Sequence, residues 1–315
     1  MTYLEKAIIS AIAYFDLFDY PLTSFEVWRW LYTDSEGENV PCPLRDVLRA
    51  FAKSQYLHER LEFREGYYFL KGRGDIVVSR QSRYRIAEKK YLRARKLVKA
   101  LSMIPFVRMI AVCNKLGYNN NTLDSDIDVF IICAQGRLWF TRLMVTLVTQ
   151  FAGMRRHGIN ISQRVCLSFY LSTSRLSIHD LAKTPSDPYL SYWISHLYPL
   201  FGADTYHAFM EANRWVQKTL PNLQSVSASP RRTVGQGRQS RVQRMFEIVF
   251  RGPLGAMSEK IAKSVQMKRI ARNPDSHLKE HTSDVVVDDT VLKFHEQDRR
   301  IIFRRQFEQQ CSRLL

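Results

Sequence analysis

The stretch Asp124-Ser125-Asp126-Ile127-Asp128-Val129-Phe130-Ile131-Ile132 begins acidic and ends as an apolar, β-branched run. That is the pattern of a strand whose first residues emerge into solvent. Residues two apart on a strand share a face, about 6.7 Å apart along the chain. Asp126 and Asp128 are therefore expected on one face, with Ile127 and Val129 on the other, buried one. Two carboxylates that close repel and raise each other's pKa unless a cation lies between them. A hard divalent ion suits such a site, usually held by one or two carboxylates plus substrate phosphates. An isolated Asp-x-Asp also fits a solvated turn before a strand, so the flanking sequence decides.

Upstream runs Val107-Arg108-Met109-Ile110-Ala111-Val112-Cys113-Asn114-Lys115-Leu116-Gly117, an apolar strand entering a polar turn, followed by an Asn-rich loop (Asn119, Asn120, Asn121). From about residue 106 to 172 the chain resembles the DNA polymerase β-like nucleotidyltransferase superfamily, most specifically in Ser125-Asp126-Ile127-Asp128. The flanks, Asp16-Leu17-Phe18-Asp19-Tyr20-Pro21-Leu22 and the segment after Gly136-Arg137-Leu138-Trp139, are similar to stand-alone bacterial proteins carrying that domain. The resemblance implies Mg²⁺ or Mn²⁺ on Asp126 and Asp128 as catalytic ligands. It implies a nucleoside triphosphate held by Cys113, Asn114 and Ser125 at a helix start, and transfer of its nucleoside monophosphate to a hydroxyl. Two departures stand out. Cys113-Asn114 replaces a Gly-Ser turn that lets backbone approach phosphate. The strand Arg164-Val165-Cys166-Leu167-Ser168-Phe169-Tyr170-Leu171 offers Cys166, Ser168 or Tyr170 where a third carboxylate is usual; Asp180 and Asp187 follow it.

The 315 residues are enough for two or three domains, and the net charge of +17 predicts attraction to polyanions such as nucleic acid or anionic lipid. Five scattered cysteines with no Cys-x-x-Cys pair fit a reducing cytoplasm and argue against zinc or redox motifs. The N-terminus shows no cleavable signal pattern. The apolar run from Leu143 to Met154 is shorter than the roughly 20 residues that span a bilayer, so no transmembrane segment is expected.

The reading as a whole is α+β: a small mixed-sheet nucleotidyltransferase core, an N-terminal winged-helix-like domain and C-terminal helices. Residues 1–75 read as three helices (4–15, 23–32, 43–54) and a hairpin of strands 57–64 and 67–71 around Glu65-Gly66. In a winged helix-turn-helix the third helix enters the major groove, which makes Arg45, Arg49 and Lys53 candidate nucleic-acid contacts. Residues 76–102 read as one basic linking helix, with Arg83, Lys89, Lys90 and Arg93 among its phosphate-tracking candidates. Residues 103–175 form the core, with a helix from about 138 to 154. Residues 176–222 read as a helical cover, its aromatic residues and His196 taken as core by their helical spacing. Residues 223–315 read as a basic tail: a Ser/Gly/Arg-rich flexible linker from 221 to 240, a basic amphipathic helical stretch at 241–272, broken at Gly252-Pro253 and suited to a membrane, nucleic acid or packing on the core, then a short strand and basic helix. His277 and His281 lack zinc-site spacing.

Two functions follow. The intact Asp pair favours a metal-dependent nucleotidyltransferase. The Cys113-Asn114 turn and the missing third acid favour a catalytically degraded relative that binds nucleotide or nucleic acid as a regulatory module.

Overall fold

In the computed structural model, residues 1–33, 41–154, 164–235, 239–272, 285–294 and 298–315 are described. Helix α1 (Tyr3–Asp16) opens in a capping box, Thr2 accepting from the Glu5 amide and Glu5 from the Thr2 amide. After β1 (Leu22–Thr23), Thr23 and Glu26 build the same box for α2 (Ser24–Arg29). Helices α3 (Leu44–Lys53) and α4 (Gln55–Arg60) lead into β2 (Leu61–Arg64) and β3 (Tyr67–Leu70). The expected strand from Leu57 starts only at Leu61, because Ser54 Oγ accepts from the Leu57 amide and caps one more helical stretch. Glu65 (φ 51°) and Gly66 (φ 86°) make the hairpin turn, and the sheet order is β1-β3-β2, all antiparallel.

Helix α5 (Ile76–Leu101) then runs to the main sheet. That sheet is built from β4 (Val107–Val112), β5 (Ile127–Cys133), β6 (Val165–Ser172), β7 (Tyr198–Phe201), β8 (Val285–Val287) and β9 (Val291–Phe294). Its order is β7-β4-β5-β6-β9-β8. Only β5 and β6 are parallel, so the sheet is mixed and the fold is α+β. The expected helical cover from 178 to 220 contains β7, which sits at a sheet edge where Pro199 removes no needed donor.

The two faces of β5 feed two cores. Ile127, Val129 and Ile131 pack with Val98, Trp139 and Val145, from α5 and from α7 (Leu138–Phe151). Phe130 and Ile132 pack with Trp193 of α8 (Pro188–Ser195), Phe209 of α9 (Ala203–Ala212) and Phe15 of α1. The N-terminal elements thus share a core with the sheet. Helices α10 (Arg241–Val249) and α11 (Pro253–Ala271) follow, and α12 (Arg300–Leu314) returns to pack on α1 and α8.

The reading of 221–240 as a flexible linker is corrected over its described part, 221–235 and 239–240. Buried Asn222 donates to Trp28 O (2.8 Å) and accepts from the Cys42 amide (3.0 Å). Arg232 lies 3.7 Å over the Tyr91 ring and pairs with Glu88. The closing Arg155-Arg156-His157 of the helix after β5, and His277 and His281, lie outside the described residues.

The start of α12 is fixed by a buried cation. Arg300, 6% exposed, donates to Leu181 O (2.9 Å), Asp187 (2.7 Å) and Asp298 (2.7 Å). Burial pushes the Asp298 carboxyl up, but the hydrogen bonds and charge of Arg300 outweigh it and hold the group well below the usual carboxylate range. Arg300→Met removes the cation that the two buried carboxylates share and leaves Asp298 with Lys293 at 3.6 Å. Urea unfolding is expected to show a loss of about 3–5 kcal/mol, and a loss under about 1 kcal/mol would mean the network is not stabilising.

Candidate active site

Asp126 precedes β5 and Asp128 is its second residue, both on the face opposite buried Ile127 and Val129. The parallel register sets Asp128 beside Cys166 of β6. One ligand atom from each of Asp126, Asp128 and Cys166 falls within 4.8 Å of the others. Of the three residues open for a third ligand in the sequence, it is Cys166 that meets the acids.

The loop before the acids is tied from below. Lys90 of α5 is buried, and its ammonium donates to Thr122 O (2.8 Å), Ser125 Oγ (2.8 Å) and Ser125 O. Ser125 Oγ also donates to Thr122 O (2.9 Å) and accepts from Asn121 Nδ2 (3.0 Å). A hydroxyl has one proton and two lone pairs, so this one is fully engaged inside the loop. Ser125 therefore clamps the loop. Burial lowers the Lys90 pKa, opposed by the carboxylates of Asp126, Asp124 and Asp128.

The acids open on a cavity of about 550 Å³ whose walls come from distant parts of the chain. Phe18 and Arg83 line one side; Asn114 and Lys115 lie at the start of α6 (Asn114–Gly117). Tyr189 and Trp193 come from α8, and Arg299 and Phe303 from the C-terminal segment. Tyr189 and Phe303 stack at 5.6 Å with planes 7° apart, and Phe18 lies 5.1 Å from Phe303. A smaller space of about 210 Å³ shares Asn114, Tyr189, Trp193, Arg299 and Phe303 with it.

Several assignments change with the structure. Asn114 lines the cavity in the left-handed conformation (φ 51°), which Asn tolerates better than most residues. Cys113 does not: its side chain is 4% exposed among core residues, and its amide donates to Asp128 O (3.1 Å). Burial, with the charges of Asp128, Cys166 and Asp126, pushes the Cys113 thiol up. On the linking helix, Lys90 is buried and spent on the loop, so it is no phosphate-tracking residue. Arg83 is half-buried and donates to Phe18 O, Asp19 O and Asn120 Oδ1 (3.1–3.3 Å). Lys89 is exposed and Arg93 half-buried. Arg45, Arg49 and Lys53 are exposed on α3, far along the chain from the acids.

Sequence reasoning missed Lys90, Lys115, Arg299 and Phe303 as parts of one site. For Lys90 a signal existed: it sits between Ala87 and Ala94, three and four residues from positions on the apolar stripe of α5. Arg299 and Phe303 are brought in only by the long-range packing of α12. Searches of protein-family models, curated proteins and solved structures found no match to this chain.

His196 also lines the cavity, yet it is 6% exposed and edged by Phe15, Trp30 and Tyr118. Its Nδ1 donates to Tyr192 O, and burial pushes its pKa down to about 3. An unfolded histidine titrates near 6.5. Between those values only the unfolded chain takes the proton, so stability is complete above about pH 6.5 and falls as pH drops towards 3. The loss reaches about 1.4 kcal/mol per pH unit. Denaturant unfolding of His196→Phe between pH 7 and 4 is expected to show a shallower slope by that amount. Equal slopes would mean that the folded protein accepts the proton on His196.

Proposed function

We propose that this protein is a divalent-metal-dependent nucleotidyltransferase that moves a nucleoside monophosphate from a nucleoside triphosphate to a hydroxyl acceptor. The observation that carries the reading is that Asp126 and Asp128, grouped with Cys166, line a cavity that also presents cations and stacked aromatic rings. Its volume falls within the usual range of about 300–1,000 Å³ for small-ligand sites.

The donor set fits a divalent ion. Asp126 and Asp128 supply the oxygen ligands Mg²⁺ requires, and Cys166 adds a sulfur that favours a softer ion over Mg²⁺. When bound, such an ion lowers the pKa of an attacking hydroxyl and offsets charge on phosphoryl oxygens. The chain's own residues supply the rest. Lys115 and Arg299 neutralise a polyphosphate, and the Asn114 amide group offers it a donor. Phe18, Tyr189 and Phe303 give a base a stacking surface. Lys90 holds the loop so that the two carboxylates need no reorganisation as charge develops.

A second reading keeps nucleotide binding without turnover. It is favoured by Cys166 standing where a third carboxylate is usual. The arrangement of α1 to β3, with sheet order β1-β3-β2 and exposed Arg45, Arg49 and Lys53 on α3, supports a winged helix-turn-helix reading and, with it, a nucleic-acid partner.

The test is pyrophosphate release from each labelled nucleoside triphosphate with Mg²⁺ or Mn²⁺, with and without RNA or DNA. Asp126→Asn/Asp128→Asn is expected to lower turnover by about a thousandfold or more. Cys166→Asp is expected to raise the Mg²⁺-to-Mn²⁺ activity ratio by about tenfold. Nucleotide binding with no pyrophosphate release under any ion would sink the transferase and leave the binding module.

A further inference from the structure

Helices α10 and α11 hold the core largely through polar side chains, which is unusual for a covering pair. The side chains that α10 turns to the core are polar. Buried Gln243 donates to Ile104 O (3.1 Å) and Val107 O (2.8 Å). Glu247 accepts from the Phe106 amide (2.8 Å) and pairs with Arg108 (2.7 Å). In α11, Glu259 accepts from the amides of Trp139 and Phe140, both at 2.8 Å, and buried Gln266 donates to Trp139 O (2.8 Å).

Ala262 of α11 is buried in the core and Met267 and Ile270 pack against it, but most of the larger apolar side chains face out. On α10, Val242, Met245, Phe246, Ile248 and Val249 are 43–70% exposed. On α11, Leu254, Met257, Ile261 and Val265 recur at three- and four-residue spacing and are 54–57% exposed. That spacing makes a single stripe along the helix, and exposed apolar surface on this scale marks an interaction site.

The charges on the two helices identify the partner. Residues 241–272 carry eight Lys or Arg and two acids. Both acids, Glu247 and Glu259, are engaged by the core. Of the basic residues, Lys263 pairs with Asp289 (2.7 Å) and the other seven are exposed. The outward face is thus apolar and positive, with no acid of its own helices on it.

We infer that α10 and α11 dock the protein on an anionic lipid surface. A bilayer offers both things this face needs: an acyl boundary for the stripe and negative headgroups for the flanking cations. Long Lys and Arg stems lie along the apolar surface while their charges reach the headgroups. A second copy would bring two uniformly positive faces together. A nucleic-acid backbone would satisfy the cations but leave aliphatic side chains in water. Among the described residues no helix is long and apolar enough to cross a membrane, so the attachment is peripheral.

The inference is independent of the nucleotide reading. The anchors of α10, Ile104 to Arg108, sit where Val107 pairs with Cys133, at the end of β5 away from Asp126. Along seven strand residues the separation is about 20 Å, so docking leaves the acid site clear of the lipid.

The test is co-sedimentation of the full-length protein with vesicles of phosphatidylcholine, alone or with about a third phosphatidylserine. Binding is expected to be about tenfold stronger to the anionic vesicles and to weaken with salt. Phe246→Glu/Ile261→Glu places charge on exposed positions, so it is expected to fold with an unchanged melting midpoint and to bind at least about tenfold less. Arg244→Glu/Lys260→Glu is expected to lose the anionic preference. Equal binding to both vesicle types, or full binding by the Phe246→Glu/Ile261→Glu variant, overturns the inference. So does loss of self-association or of nucleic-acid binding in that variant without any vesicle binding by the parent.

Discussion

Strand β5 is buried on both faces, and the position of the site depends on it. With a side-chain period of two, Ile127, Val129 and Ile131 belong to the core under α5 and α7, and Phe130 and Ile132 to the core under α8 and α9. Asp126 and Asp128 share the second set's parity, so they project towards α8, α1 and α12. A slip of one residue would drive both carboxylates into the α5–α7 core without a cation, at a cost of several kcal/mol each in practice. The apolar pattern that specifies the register therefore also aims the acids. The parallel pairing with β6 then places Cys166 beside Asp128.

The parts legible in sequence are those governed by local pattern. The capped helix at residues 3–16, the helix on either side of Val47 and the Glu65-Gly66 turn all follow from neighbours within four residues. The Asp pair was legible for the same reason. What was not legible depended on partners far along the chain. Tyr198-Pro199-Leu200-Phe201 has the length and apolarity of a strand, yet it lies between helices and carries a proline; only its place at a sheet edge makes that proline harmless. Arg231-Arg232 among serines and glycines has the composition of a solvated linker. Tyr91 and Glu88, well over a hundred residues earlier, supply the ring and charge that hold Arg232 down. The run of basic residues in α5 misled in the same way, since Arg80 and Lys90 meet Glu26 and the Ser125 loop only after folding.

The inward polar faces of α10 and α11 have a cause in the segments they cover. Between α5 and β4 the chain turns irregularly, with Phe106 at φ 68°. There the Phe106 amide precedes the strand, and the Ile104 carbonyl takes a long turn bond, 3.4 Å, from the Val107 amide. Buried backbone groups must be paired, and Glu247 and Gln243 pair them. At the start of α7, Arg137 provides no side-chain cap, and Glu259 accepts from the next amides. A helix that must serve such groups has to present polar side chains inward. Most of its larger apolar residues are then left for the other face.

The chemistry of Cys166 fits the charge around it. Buried Lys90 lies near Asp126 and Asp128, and its ammonium is committed to the loop. A third carboxylate at 166 would add a like charge within metal-ligand distance of the other two and make the set more dependent on a bound dication. The loop bonds of Lys90 and Ser125 hold the start of β5 independently of any ion. Once an ion is present, the sulfur ligates best as thiolate and binds soft or borderline ions in preference to Mg²⁺. Under the proposed reading, cysteine rather than a carboxylate at 166 would exchange electrostatic demand on Mg²⁺ for selectivity among ions, with Lys90 on α5 and Cys166 on β6 setting that balance.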